Sequence, residues 1–203
     1  MTPGRGRPSL SRMDPKAVLQ RYLAEERRGL LGRLDGLSER QVRWPGTPTG
    51  TNLLGLVKHV ASVELGYLGE VFDRPSGIPL PWLDDDAEPD ADLWATTQES
   101  RADVVALHHA AAAHADATIE ALDLDAPGVV PWWGPGRQDV TLHQVLVHLV
   151  VETAHHAGHA DVLRELLDGR AGDDRGNLSA RTPAEWAAHR RRLEAVAEEA
   201  GPA

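Results

Sequence analysis

The segment VETAHHAGHADVLRE at 151–165 brings Glu152, His155, His156 and His159 into one short stretch. Carboxylates and imidazoles bind divalent metals through oxygen and nitrogen, and they also carry protons. Glu152 and His156 are four positions apart. On a helix that spacing puts both heads on the same side, one turn apart, which is a chelating arrangement used inside helical bundles. The same spacing also suits a buried ion pair that binds nothing. The direction in which the pair faces therefore decides its chemistry.

A helix advances each side chain by roughly 100°. On that phase Leu142, Val145, Leu149, Ala160, Leu163 and Leu167 cluster within about 60° and define the inward stripe. His156 falls near the middle of it, and Glu152 lies about 40° from His156, still on the inner side. His159 and His148 sit nearer the margin, His155 further out, and Val151 and Gly158 lie off the stripe. An imidazole and a carboxylate inside an apolar bundle cost several kcal/mol unless paired or bound to a metal. An earlier run, GLVKHVASVE, supplies one histidine, His59, at the edge of its own stripe beside Leu56 and Val63. Facing helices lie about 8–10 Å apart, so His59 can reach an ion shared with Glu152 and His156. Three protein ligands would leave a position for water or substrate. A lone His59 also suits a core histidine with no metal. His108, His109, His114 and His189 are expected on the surface.

The elements that must place these residues are helical. Asp14-Pro15 reads as an N-cap followed by proline at the first helical position, opening a helix over 15–36. A second helix is expected over 52–73, with Leu53, Leu56, Val60, Val63, Tyr67 and Val71 on one stripe. The proline-rich, polar stretch 74–97 reads as an irregular connection. A third helix follows over 98–122, then a loop through PWWGPG. Thr141-x-x-Gln144 has the form of a capping box and opens a fourth helix that ends at Asp168, before Gly169. Thr182-Pro183-Ala184-Glu185 opens a fifth over 183–199. The run VVPWW (129–133) is the only strand-like segment, and its proline demotes it. The expectation is an all-α fold, a four-helix bundle with an additional C-terminal helix. It forms one domain over 14–200 behind a flexible tail, residues 1–13.

Composition narrows the function. A net charge of −10 over 203 residues argues against nucleic acid or an anionic membrane as partner, since both require clustered positive charge. There is no cysteine, so a metal must be held by nitrogen and oxygen, and no disulfide or iron–sulfur cluster can form. No apolar run approaches a membrane span and the first residues lack a signal-peptide core, which points to the cytoplasm.

The runs TNLLGLVKHVASVE and LHQVLVHLVVETAHHAGHADVLRELLDG resemble the DinB-like superfamily of metal-binding four-helix bundles. The likeness is to its actinobacterial branch of mycothiol-dependent S-transferases and maleylpyruvate isomerases, and it extends over most of residues 14–195. The resemblance implies a divalent metal, zinc first and nickel or iron as alternatives, held by His59, Glu152 and His156. Many superfamily members have histidine where this chain has Glu152. A carboxylate is a competent zinc ligand. It further implies mycothiol or a similar small thiol as cosubstrate, an electrophile as second substrate, and a homodimer as a possible assembly.

Such a protein would use the metal to turn the incoming thiol into a thiolate that attacks the electrophile. That division of labour suits a chain that owns no sulfur nucleophile. His159 and His148 are expected to orient the thiol. Trp82, Trp94, Trp132 and Trp133 lie in or beside loops and would form an aromatic mouth for an apolar electrophile, or else plug the ends of the bundle. Two other readings share these residues: a hydrolase in which metal-bound water is the nucleophile, and a metal-binding, stress-related bundle without catalysis.

Overall fold

The computed structural model describes residues 14–172 and 178–201. The tail expected over 1–13 lies outside them. The contacts divide the chain into two compact units that part after Gly172.

Each helix of the first unit starts where a short polar side chain can satisfy free backbone N–H groups. Asp14 caps α1 (Pro15–Gly32), and Ser38 with Gln41 forms a reciprocal box on the single turn α2 (Glu39–Val42). Asn52 accepts from Gly55 N–H at the head of α3 (Leu53–Leu68). Ser100 and Asp103 box the start of α4 (Arg101–Ala121). Thr141 accepts from Gln144 N–H, the hydroxyl half of the expected box, and α5 (Leu142–Asp168) then runs to Gly169. Gly169 closes it with φ of 76°, a left-handed conformation that glycine adopts without strain.

Two of these bounds differ from the sequence expectation. The first helix stops at Gly32 rather than near 36, and the second at Leu68 rather than 73, where Glu70–Phe72 tightens into a turn of 3-10 helix. The stretch 123–140, read as a loop, contributes to a small antiparallel ribbon of β1 (Pro127–Val129) and β2 (Asp139–Thr141). Strand β1 ends before Pro131, so that proline interrupts no ladder. Three residues per strand are too few to show an alternating pattern.

The four long helices α1, α3, α4 and α5 form the expected all-α bundle. Helix α3 packs against both α4 and α5, and α1 against α5. Helix α3 is buried on nearly every side, with Leu53, Leu54, Leu56, Val57, Ala61 and Leu68 at 2% exposure or less. The core falls into two main apolar layers. Leu23, Leu68, Ile119, Leu142, Leu146 and Leu149 build one, and Leu30, Leu54, Val57, Ala160 and Leu163 build the other. Buried polar side chains lie between these layers in the sequence of each helix: Arg27 on α1, Glu64 on α3, His108 on α4 and Thr153 on α5. Arg27 donates from Nε to Glu64 Oε1 at 2.7 Å and from Nη1 to Asp116 at 2.9 Å.

His108 is a correction, being 3% exposed rather than on the surface. Burial, the charge of Arg27 and the neighbouring His109 together push its pKa down to about 4. The folded protein holds this imidazole neutral while the unfolded chain would protonate it near pH 6.5, so acid favours unfolding. The contribution is fully present above pH 6.5 and is lost as the pH falls toward 4. Between pH 7 and pH 5 the folded state should lose about 2 kcal/mol through this group. Denaturant titrations of His108→Leu should show a flatter pH dependence in that window; an unchanged slope would contradict the assignment.

The second unit carries α6 (Pro183–Glu199), opened by the expected Thr182–Glu185 box. Arg181 lies over the Trp186 ring, 4.5 Å from its centroid.

Candidate metal centre

Helix α3 brings His59, and one face of α5 brings Glu152 and His156. One ligand atom from each of the three lies within 4.8 Å of the other two. His59 Nε2 is 3.5 Å and His156 Nε2 3.0 Å from the same oxygen, Glu152 Oε1. The two rings meet edge to face at 4.7 Å between centroids. The three side chains are 14–29% exposed, so the group is half-buried and reachable from solvent.

The geometry suits a cation. Ligand atoms about 2.0–2.1 Å from a tetrahedral zinc stand roughly 3.3 Å apart. Two edges of the triangle, 3.0 and 3.5 Å, bracket that value, and the edge between the histidines is no longer than 4.8 Å. The His59 tautomer agrees. His59 Nδ1 is 2.6 Å from Asp92 Oδ2, and donating its proton there leaves the Nε2 lone pair facing the Glu152 carboxylate. Two electron-rich atoms facing each other repel unless a proton or a metal lies between them. His156 Nδ1 is buried without a protein partner, and it is the nitrogen that would carry the proton when Nε2 binds a cation. Nitrogen and oxygen donors of this kind suit zinc, nickel or iron.

Electrostatics point the same way. Burial pushes Glu152 upward, but the hydrogen bond and charge of His156 and His59 outweigh it and hold the carboxyl below the usual range. Burial, then the charge of His59, lowers His156 against the opposing pull of Glu152. A carboxylate and a neutral imidazole are the forms that bind metal.

Asp92 was not singled out in the sequence, where it is the last of a run, DDDAEPDAD, in which every acid looks alike. The structure distinguishes it by how its backbone is held. Buried Lys58 donates from Nζ to the Ala91 and Trp94 carbonyls at 2.9 and 3.0 Å, pairs with Glu99 at 2.6 Å and faces the Trp82 ring at 4.1 Å. Asn52 donates to the Leu93 carbonyl, and Arg43 to those of Ala95, Thr96 and Glu99. Gly55 lets this strap approach α3, because a β-carbon there would collide with the Leu93 carbonyl. A carboxylate bonded to the far nitrogen of a metal-binding histidine orients the ring and raises its basicity. Asp92→Ala should therefore weaken divalent-metal affinity about 10–100-fold with the fold intact. A competition titration against a chelating dye measures this, and unchanged affinity would exclude the role.

The other sequence candidates lie outside the trio. His159 is exposed, with its ring 4.3 Å from His155 and 5.8 Å from His156. His148, two turns before His156, packs its ring 4.7 Å from Tyr67 and 5.3 Å from Trp133. Trp132 and Trp133 both donate to the Tyr67 hydroxyl, at 3.2 and 2.7 Å, and Trp82 donates to Ser62. Trp94 is half-exposed on the strap. His109 is exposed, and His114 and His189 are half-buried.

Bundle and trio together define a DinB-like protein with a candidate metal centre. The family model for mycothiol-S-transferase matches residues 18–169, and the chain belongs to that family. A solved structure, described as the conserved protein of locus from Enterococcus faecalis, shares the fold with a TM-score of 0.59. It is 15% identical, and the alignment covers 78% of this chain and 99% of that one. Among curated proteins none matches. No helix among the described residues is long and apolar enough to cross a membrane.

Proposed function

We propose that this chain is a metal-dependent S-transferase that joins mycothiol, or a similar small thiol, to an electrophile in the cytoplasm, with zinc as its preferred metal. The observation that carries the reading is the convergence of His59, Glu152 and His156 in a cysteine-free chain of the mycothiol-S-transferase family. A divalent ion held by these three would supply Lewis acidity that lowers the pKa of a thiol.

The protein's own residues do the rest. Asp92 holds the His59 tautomer, and the strap fixed by Lys58 and Arg43 keeps Asp92 in place. Glu152 would offset part of a bound ion's positive charge. With no cysteine of its own, the chain must receive a thiol nucleophile from the cosubstrate. His148 and His159 flank the trio along α5, one turn before Glu152 and three residues past His156, where they would contact the thiol's carrier.

The test is conjugation of a chromogenic electrophile by purified, zinc-loaded protein, with and without mycothiol. Product that requires both protein and thiol supports the transferase. Product formed without thiol would favour hydrolysis by activated water, and no product with any electrophile would favour a non-catalytic metal-binding bundle.

A further inference from the structure

Beside the trio lies a cavity of about 500 Å³ that the proposed chemistry has not yet used. It borders the centre through Asp92, which lines the cavity and also bonds His59, and through Val63, one turn beyond His59 on α3. Its walls are apolar and partly aromatic, with Tyr67, Ile78, Leu80, Leu83 and Trp132 among them. Gly66 lies under Trp132, where a β-carbon would be 3.5 Å from the indole edge.

The charged residues lining it are Glu70 and Asp92, both acidic, and no lysine, arginine or histidine contributes to the wall. The chain from Pro75 to Ser100 contains no basic residue at all, while Asp84, Asp85, Asp86, Glu88 and Asp90 are exposed along it. A carboxylate entering this cavity would lose hydration and meet the like charges of Glu70 and Asp92, with no basic side chain in the wall to receive it. A flat uncharged or cationic group would gain apolar and aromatic contact without that opposition.

We propose that this cavity seats the electrophile, and that it selects uncharged or cationic aromatic electrophiles and rejects carboxylated ones. The inference rests on the S-transferase reading for the identity of the ligand as a reactant. It separates that reading from the isomerase branch to which the sequence is also similar, since maleylpyruvate is a dicarboxylate. With a chloronitroarene the reaction would form a bond from the thiol sulfur to the ring carbon and break the carbon–chlorine bond. Chloride departs with the bonding pair, and the thiol proton passes to water.

The experiment uses an isosteric pair, a chlorodinitrobenzamide and the matching chlorodinitrobenzoate, with the zinc-loaded full chain. Thiol-dependent kcat/KM, divided by each compound's uncatalysed rate, should favour the amide about tenfold or more, which corresponds to about 1.4 kcal/mol. Glu70→Lys should narrow that ratio. Calorimetric binding of both compounds without thiol gives a second readout. Preferential amide binding without turnover would sustain the cavity assignment and remove the transferase reading. Turnover of the benzoate as fast as the amide, or a ratio unmoved by Glu70→Lys, would overturn the selectivity and leave the transferase reading standing.

Discussion

Alanine at position 156 is expected to abolish divalent-metal binding and, with it, thiol conjugation, while the bundle stays folded. His156 contributes one of three ligand atoms, and its Nε2 shares Glu152 Oε1 with His59. Losing it leaves one imidazole and one carboxylate. The affinity should fall by more than the roughly 10–100-fold that loss of an outer partner such as Asp92 costs. His155→Ala and His109→Ala are the internal controls, since both side chains are exposed. Each should keep full metal content. Equal metal in His156→Ala and His155→Ala, read by elemental analysis after dialysis, would refute the ligand assignment.

The second large effect concerns the fold that holds the site. Arg27→Met should destabilise the protein by about 3–5 kcal/mol, because it strands the Glu64 carboxylate inside the bundle. Arg27 and Glu64 are 4% and 2% exposed, and Arg27 also holds Asp116. Burial already raises the Glu64 pKa against the pull of Arg27, so without its partner the acid must take up a proton or the structure must open. The double change Arg27→Met with Glu64→Leu should recover most of the loss, as an apolar pair of similar volume avoids the desolvation of both charges. Denaturant unfolding of the single and double variants measures this, and a single-variant loss under about 1 kcal/mol would show that the pair is not the buried bridge described.

Helix α5 was the most legible part of the chain. Thr141 and Gly169 mark its ends, and a sparse set of leucines and valines fixes its phase, so the sequence alone turns Glu152 and His156 toward the inner side. Helix α4 was harder. Its run HHAAAAHADA is mostly alanine, which packs inside or outside equally well, so nothing in the local pattern shows that His108 turns inward while His109 faces solvent. That choice is set by Arg27 and by the contact with α3. Asp92 and Lys58 were invisible for a related reason. One is an acid in an acidic loop and the other a lysine on a helix, and only the folded strap brings their charges against His59 and the carbonyls around it. The ribbon of β1 and β2 was missed because it is held by pairing and by Phe72 and Val71 packed on Gly128, not by alternation.

The most direct test of the central claim is anomalous X-ray diffraction at the zinc edge from crystals of the metal-loaded protein. The account predicts one strong peak about 2.0–2.2 Å from a nitrogen of His59, a nitrogen of His156 and a carboxylate oxygen of Glu152. A peak elsewhere, or full metal occupancy with any of these three side chains turned away, would contradict it.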